Sequence, residues 1–306
     1  MKKMKNKNIL KTIGNTPLVK LNINSKNRAD ILAKPEFLNP SGSIKDRMAL
    51  YMIKMAEKRG ILRPGMPIIE ATTGNTGIAF AMIATIKGYN FIAVMPEDMT
   101  IEKQKLMKAY GARVILTAAS KGPQGAIEKK NQLAREIKNV WLPSQFDNPD
   151  NVAAHREGIG KEIIKQTKGE IDAFVAGVGT GGTLMGVGEA LKALNPKIKI
   201  IAVEPAESAV LSGEKAGHHE IQGIGEGFIP ELVDLKMIDQ IEKVSSREAK
   251  QMARKLALKE GILAGVSSGA NMAASLRIAR RLGKGKTIVT VLPDRGERYL
   301  SQNIFN

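Results

Sequence analysis

The sequence predicts an α/β protein in which mostly parallel sheets are covered by helices on both faces. Short apolar runs of strand length alternate with segments of helical length through most of the 306 residues. The predicted strands are residues 67–71, 91–96, 113–117, 173–177, 199–204 and 287–293. The clearest predicted helices are residues 78–87, 101–110 and 247–260. Such alternation is typical of βαβ units, whose crossover helices pack on a parallel sheet.

The length suggests two domains of ordinary size. A junction is predicted near residues 146–151, where Asp147-Asn-Pro-Asp-Asn151 interrupts the pattern between two α/β halves. Residues 78–87 are apolar on nearly every side, which predicts a buried helix. Gly88 follows this segment and is a suitable C-terminal stop.

The composition is that of a globular protein, with 43% hydrophobic and 25% charged residues. No stretch approaches the ~20 apolar residues of a membrane span. The basic N-terminus leads into Gly14, Asn15 and Pro17 rather than an apolar signal segment. We therefore expect a cytoplasmic protein with no membrane partner. The absence of cysteine excludes thiolate chemistry, and with only three histidines we expect no metal site.

The net charge of +17 makes nucleic-acid binding an alternative function. The lysines are spread along the whole chain, however, and aromatic residues make up only 4% of it. No nucleic-acid reading motif is present. We therefore attribute the charge to overall composition, with a few cations placed to attract small anions, and expect no nucleic-acid partner.

Each predicted half contains a strand that runs into a glycine-rich turn and then a helix. The first turn is Thr72-Thr-Gly-Asn-Thr-Gly77, and the second is Gly177-Val-Gly-Thr-Gly-Gly-Thr183. Glycine allows close approach of the backbone, and the following helix presents unpaired N–H groups and the positive end of its dipole. Two such turns predict a ligand with two anionic groups, for example a phosphate and a carboxylate.

The second turn, taken alone, has other interpretations. Residues 177–182 fit the G-x-G-x-x-G fingerprint, and Glu204 lies near the distance of about 20 residues expected for a ribose-binding acid. A nicotinamide oxidoreductase is therefore an alternative, and so is a turn whose glycines serve packing alone. Thr180 and Thr183 favour a phosphate monoester, because their hydroxyls can satisfy its additional oxygens.

Lys45 lies in a turn-rich segment that runs into a helix, Asn39-Pro-Ser-Gly-Ser-Ile-Lys-Asp-Arg47. Ser43 is the predicted N-cap, which places Lys45 in the first turn. The positive end of the helix disfavours the ammonium form there and should lower the pKa of the lysine. A lysine of this kind suits chemistry in which an amine attacks an aldehyde.

Together these motifs resemble the cysteine synthase (O-acetylserine sulfhydrylase) and cystathionine β-synthase family, which uses pyridoxal 5'-phosphate (PLP) and has the tryptophan-synthase β-subunit fold. The resemblance covers almost the whole chain and includes Ile13-Gly-Asn-Thr-Pro-Leu18, Ser144-Gln-Phe-Asp-Asn-Pro149, Ile221-Gln-Gly-Ile-Gly225 and Ser267-Ser-Gly-Ala270. It implies PLP fold type II, with two three-layer α/β domains and the cofactor between them. Residues 42–148 would form a smaller, mobile domain, and residues 1–41 and 149–306 a larger one that holds the PLP phosphate.

The resemblance also implies roles for individual residues. Lys45 would bind PLP as a Schiff base and later remove the α-proton of the substrate. The other implied cofactor contacts are Asn75 at the phenolic oxygen, Ser267 at the pyridine nitrogen, and Gly179, Thr180, Gly181, Gly182 and Thr183 at the phosphate. The implied substrate contacts are Thr72, Thr73, Gly74, Thr76, Gln145 and Gly223.

The implied reaction is a β-replacement that makes L-cysteine from O-acetyl-L-serine and sulfide via an aminoacrylate. The alternative is a β-replacement or elimination with L-cysteine or L-serine as donor, which releases sulfide or forms cystathionine or lanthionine. Two departures bear on this choice: Ala71 and Thr73 stand where the family usually has proline and serine, and residues 221–225 carry no arginine for a phosphorylated donor. The implied partners are a second copy of the chain, as a homodimer, and serine acetyltransferase.

Overall fold

The structure is a computed structural model that describes residues 8–23, 27–302 and 304–305. The strands are β1 (Val19–Lys20), β2 (Asp30–Pro35), β3 (Ile68–Ala71), β4 (Phe91–Pro96), β5 (Arg113–Thr117), β6 (Ala173–Gly177), β7 (Lys199–Pro205), β8 (Gln240–Val244) and β9 (Thr287–Leu292). The α-helices are α1 (Lys45–Lys58), α2 (Asn75–Lys87), α3 (Ile101–Ala109), α4 (Gly122–Glu136), α5 (Pro149–His155), α6 (Lys161–Thr167), α7 (Gly182–Leu194), α8 (Ser246–Glu260) and α9 (Val266–Leu282). Among the described residues, no helix is both long enough and apolar enough to cross a bilayer.

The strands form two sheets. β3, β4 and β5 make a parallel three-stranded sheet, and the other sheet has the order β1-β2-β9-β6-β7-β8. The second sheet is parallel except for the antiparallel pair β1–β2. β2 pairs with β9, with Asp30 opposite Thr287. The chain therefore starts in the six-stranded sheet, leaves it to form β3, β4 and β5, and returns to it at β6. The predicted α/β class is confirmed; the domain boundaries at 41/42 and 148/149 stay predictions.

The predicted elements agree closely with the observed ones where apolar residues dominate. β4, β5 and β6 have the predicted bounds. The predicted buried helix is the C-terminal part of α2, whose residues from Thr76 to Ala84 are buried. Gly88 ends α2 in the left-handed conformation, at φ +76°. This apolar helix is therefore buried in the half of the chain that contains the three-stranded sheet.

A network of buried charges fixes the start of α1. The Arg47 guanidinium contacts the Glu36 carboxylate at 2.6 Å and the Glu162 carboxylate at 2.6 Å. The Lys34 ammonium, which is fully buried, contacts Glu162 at 2.8 Å. These residues come from β2, the turn that follows it, α1 and α6. The network therefore holds the first turn of α1, and with it Lys45, against the six-stranded sheet.

This network should make stability depend on pH in a defined window. Burial disfavours ionisation of Glu162, but hydrogen bonds and attraction from Arg47 and Lys34 outweigh burial and lower the pKa of Glu162 to about 2, from an ordinary value of 4.5. Because the folded-state pKa is the lower one, the stabilisation is complete above about pH 4.5 and is lost as the pH falls towards 2. We expect urea denaturation to show a stability difference between wild type and Glu162→Gln that shrinks from about pH 5 to about pH 3. An equal difference at both values would contradict this.

Candidate active site

A cavity lies between the two sheet-bearing halves and is lined by residues of both. Residues of both glycine-rich turns line it. All of the residues predicted for the site line the cavity except Gly74 and Gly182. Those two pack closely against neighbouring side chains, since a Cβ on Gly74 would lie 2.3 Å from the Lys103 side chain and one on Gly182 would lie 2.1 Å from Asn151. The structure therefore brings together motifs that are far apart in sequence.

Lys45 is the first residue of α1 and faces the cavity. Burial is the largest cause of its lowered pKa, and the nearby carboxylates of Glu226 and Asp294 oppose that effect. The sequence had suggested the helix dipole as the cause. The predicted N-cap is displaced by one residue: Ile44 occupies the cap position, and the Lys45 N–H donates to Ser43 Oγ at 3.3 Å. The lysine amine has no hydrogen bond or ion pair with any described residue, so it is free to react.

The second glycine-rich turn has the features of a phosphate cradle. It ends at α7, and the N–H groups of Gly179, Thr180, Gly181 and Thr183 have no acceptor among the described residues. Asn151 Nδ2 donates to Thr180 Oγ1 at 2.9 Å and fixes that side of the turn. Unpaired N–H groups at the start of a helix are a ready anion site. The residues present therefore fit the phosphate group of the implied cofactor.

Gly181 gives a direct test of this cradle. It has φ +84°, and a Cβ there would lie 2.5 Å from Val233 Cγ2. Gly181→Val should therefore distort the turn and lower the amount of PLP retained per purified chain, measured by absorbance after alkaline release. Gly213→Val is the matched control, because Gly213 has φ +83° with nothing within 4 Å of the added Cβ. Equal cofactor retention by the two variants would contradict the placement.

The first glycine-rich turn is held in shape by its own side chains. Thr72 Oγ1 accepts hydrogen bonds from the N–H groups of Gly74 and Gly77 at 2.9 and 3.1 Å. The Thr76 hydroxyl donates to Gln145 Oε1 at 2.7 Å, and Gln145 Nε2 donates to the Ala71 carbonyl at 3.0 Å. The N–H groups that lack an acceptor among the described residues are those of Thr73, Asn75 and Thr76. These three N–H groups are suited to a carboxylate. Direct substrate contact stays a prediction for all of the residues implied above, namely Thr72, Thr73, Gly74, Thr76, Gln145 and Gly223.

Asn75, which lines the cavity, belongs to a network of hydrogen-bonded polar side chains. Asn75 Nδ2 donates to Asp294 Oδ2 at 2.7 Å, and Asn75 Oδ1 accepts from Arg298. Tyr299 donates to the same Asp294 oxygen at 2.6 Å. Ser267, near the start of α9, is buried against the cavity, and its hydroxyl has no partner among the described residues. Asn75 and Ser267 both line the cavity, and their contacts with the cofactor stay predictions.

Sequence reasoning missed two charged residues of the cavity, Lys103 and Glu226. Lys103 is only 2% exposed, and burial lowers its pKa to about 8. Burial also raises the pKa of Glu226, against the attraction of Lys45 and Lys103. Lys103 lies in the lysine-rich helix α3 and carries no sequence signal. Glu226 directly follows the motif at residues 221–225, and that adjacency was the available signal.

The structure gives Glu204 a role other than ribose binding. Its carboxylate is 1% exposed and accepts hydrogen bonds from the N–H groups of Leu211 and Ser212 and from the Ser212 hydroxyl. Both of its oxygens are therefore used to close the turn that follows β7. The nicotinamide interpretation of the second glycine-rich turn loses the acidic residue on which it depended.

A lysine amine that shares one cavity with two sets of unpaired N–H groups is suited to an enzyme that acts on amino acids through a phosphorylated aldehyde. Comparison with known proteins agrees. The chain belongs to the family described as "Pyridoxal-phosphate dependent enzyme", whose model matches residues 9–294. The nicotinamide alternative is therefore wrong, and PLP is the cofactor.

Individual relatives are similar over nearly the whole chain. Cysteine synthase of Staphylococcus aureus is 50% identical over 301 residues, which cover 98% of this chain and 97% of that protein. The crystal structure of cysteine synthase from Entamoeba histolytica is 45% identical, with a TM-score of 0.93 and coverage of 100% of this chain and 92% of that one. An O-acetylserine-dependent cystathionine β-synthase from Helicobacter pylori is 43% identical, with a TM-score of 0.94 and coverage of 99% and 100%. These likenesses confirm the predicted fold type.

Proposed function

We propose that this chain catalyses a β-replacement that makes L-cysteine and acetate from O-acetyl-L-serine and sulfide. The observation that carries the proposal is the free amine of Lys45, which faces one cavity together with two sets of unpaired N–H groups. One set suits the cofactor phosphate, and the other suits the α-carboxylate of an amino acid. The name of the Staphylococcus aureus relative supports the same reaction.

The bound cofactor supplies an aldehyde carbon for the substrate amine and a ring that accepts electrons from the α-carbon. The N–H groups of Thr73, Asn75 and Thr76 hold the carboxylate and so orient the α-hydrogen. Burial favours the neutral amine of Lys45, which takes this proton as the bond between the β-carbon and the acetate oxygen breaks. Lys45 returns a proton to the α-carbon after sulfur has bonded to the β-carbon.

A donor and acceptor panel tests the proposal. Purified holoenzyme is mixed with O-acetyl-L-serine, L-serine or L-cysteine and with sulfide, L-cysteine or L-homocysteine, and the products are identified by mass spectrometry. L-Cysteine from O-acetyl-L-serine and sulfide is the expected product. The alternative with L-cysteine or L-serine as donor predicts sulfide release or thioether formation instead. Failure of every donor would overturn both.

The family resemblance supports three further expectations. We propose that the enzyme works as a homodimer, which light scattering after size exclusion tests. We also propose that the C-terminal tail of a serine acetyltransferase docks in the cavity and that the enzyme acts in the cytoplasm. Competition between a tail peptide and O-acetyl-L-serine tests the docking, and fractionation of cells tests the location.

We also expect the first glycine-rich turn to close on the substrate. A carboxylate bound by Thr73, Asn75 and Thr76 would draw the start of α2 inward and exclude water. L-Methionine should therefore protect residues 72–87 from hydrogen exchange, whereas L-methioninamide should not, because charge-assisted hydrogen bonds drive closure. Equal protection by both ligands would show that the carboxylate does not drive it.

A further inference from the structure

The side-chain amide of Asn75 is held by charged groups at both of its ends. Asn75 is the first residue of α2 and lines the cavity. Its Nδ2 donates to Asp294 Oδ2 at 2.7 Å, and its Oδ1 accepts from the Arg298 guanidinium. Asp294 and Arg298 are both buried, and they belong to the segment that follows β9. Two residues of the half with the six-stranded sheet thus hold an amide that belongs to the other half.

The chemistry of these two partners fixes which way the amide faces. A guanidinium has N–H donors and no acceptor, so the atom of Asn75 that it contacts must be the amide oxygen. A carboxylate accepts hydrogen bonds, so the atom that Asp294 contacts must be the amide nitrogen. Rotation of the amide by 180° would place oxygen against carboxylate and nitrogen against guanidinium, and both hydrogen bonds would be lost. The amide therefore has one orientation, in which Arg298 engages the oxygen.

Asp294 is itself held in place by the residues around it. Tyr299 donates to Asp294 Oδ2 at 2.6 Å. Asp294 Oδ1 packs against Gly265, where an added Cβ would lie 2.1 Å from that oxygen. The Ile44 N–H donates to the carbonyl of the preceding residue, Pro293, at 2.8 Å. The carboxylate therefore has little freedom to follow the Asn75 amide if the amide turns.

Arg298 connects the amide to the segment that carries Lys45. Besides Asn75, its guanidinium contacts the carbonyl of Ser41, in the turn that leads to the lysine. A Cβ on Gly42 would lie 3.0 Å from Arg298 Nη2, so this turn packs closely on the guanidinium. The group that engages the Asn75 oxygen thus also restrains the segment that carries the reactive amine.

We propose that Asp294 and Arg298 are positioning residues, which hold the Asn75 amide with its N–H side towards the phenolic oxygen of the bound cofactor. The inference rests on the proposed function and on the predicted contact of Asn75 with that oxygen. When ionised, the phenolic oxygen is negative, so an N–H donor stabilises it and an amide oxygen would repel it. Neither Asp294 nor Arg298 is among the described residues that line the cavity, so both act through Asn75.

Absorbance of the bound cofactor tests the orientation without turnover. Protonation of the phenolic oxygen moves the main band of lysine-bound PLP from the visible to the near ultraviolet. Asn75→Ala removes the donor and should lower the ratio of the visible to the near-ultraviolet band about tenfold at fixed pH, the usual effect of a hydrogen bond to a charged group. Asp294→Ala and Arg298→Met should lower this ratio about threefold or more, because the amide can then turn.

A double variant shows whether Asp294 acts through Asn75. Adding Asp294→Ala to Asn75→Ala should leave the band ratio of Asn75→Ala unchanged, because the amide that Asp294 positions is already absent. Glu297→Gln and Arg280→Met are the controls for removal of a carboxylate and of a guanidinium. Both side chains are exposed and lie outside the cavity, so these two variants should keep the wild-type ratio.

Asp294→Asn provides a second variant if the removal variants do not fold. Its neutral oxygen holds the Asn75 N–H less strongly, so the band ratio should fall in the same direction but by less. An unchanged ratio in every folded variant of Asp294 and Arg298 would overturn the proposal. An equal effect of Asp294→Ala with and without the Asn75 amide would overturn it too. These spectra need only bound PLP, so failure of the wild type to form cysteine would overturn the proposed function alone.

Discussion

The Lys45→Ala variant should lose turnover by at least about 10³-fold, which is within the range for loss of a general base. Lys45 supplies the one side-chain amine that the proposed mechanism uses, both to hold the cofactor and to move the α-proton. Its ammonium has no ion pair among the described residues, and burial already lowers its pKa. Removal of this side chain should therefore leave the free energy of unfolding close to that of the wild type. Initial rates with O-acetyl-L-serine and sulfide, together with urea denaturation, provide both measurements.

The control for this variant lies on the same helix. Lys54→Ala removes the same charge from α1 at an exposed position and should retain full activity. If Lys45→Ala kept the rate of the Lys54→Ala enzyme, the mechanism assigned to Lys45 would be wrong. Incubation of Lys45→Ala with a small primary amine adds a second check, because partial recovery of the rate would show that the missing group is an amine.

The Arg47→Met variant should lose about 3–5 kcal/mol of the free energy of unfolding, the usual result when one partner of a buried ion pair is removed. The Glu36 side chain is fully buried, and Arg47 is the cation that contacts it, at 2.6 Å. Methionine approximates the length of the arginine stem but leaves the Glu36 carboxylate buried without its ion-pair partner. Glu162 keeps its ion pair with Lys34, at 2.8 Å, but loses the shorter one with Arg47, at 2.6 Å. Urea denaturation near neutral pH measures the loss.

Arg156→Met is the matched comparison. Arg156 also contacts two carboxylates, those of Glu157 and Glu189, but its side chain is 45% exposed. Exposed ion pairs contribute about 0–1 kcal/mol, so this substitution should change stability little. A loss in Arg47→Met no greater than that in Arg156→Met would show that the buried network does not anchor the start of α1.

The sequence predicts the buried strands well because their apolar runs are continuous and flanked by helices. β4 and β6 are strands of this kind, whereas β5 was recognised from its apolar run although its residues are exposed or half-buried. β2 was not predicted, since it contains Lys34 and Pro35, and β8 was not, since polar residues outnumber apolar ones in Gln240–Val244. Lys34 is tolerated in β2 because its ammonium donates hydrogen bonds to the Thr16 carbonyl, to Gln166 and to Glu162, which is 128 residues away in sequence. Such compensation exists in the folded chain and leaves no local pattern.

The residues of the candidate active site also fall into two groups, those that local sequence predicts and those that it does not. Residues in contiguous motifs, such as Thr72–Gly77 in the first turn, could be assigned because glycines and hydroxyls stand next to one another. Lys103 and Glu226 could not, because their importance comes from a shared cavity and from the absence of an ion pair among the described residues. Asp294 is a related case. It was missed although it orients Asn75, since the two lie 219 residues apart in sequence.

The path of the chain between the two sheets has a mechanical consequence. The chain leaves the six-stranded sheet after β2 and returns to it at β6, so two covalent tethers join it to the three-stranded sheet. If the half that contains the three-stranded sheet moves as one body when substrate binds, as we propose, it turns most easily about the line through these two tethers. Lys45 follows closely after the first tether, at the predicted boundary near residue 41, and so lies near that axis. The reactive amine should therefore stay almost stationary while the carboxylate-binding turn, which is further from the axis, makes the larger movement.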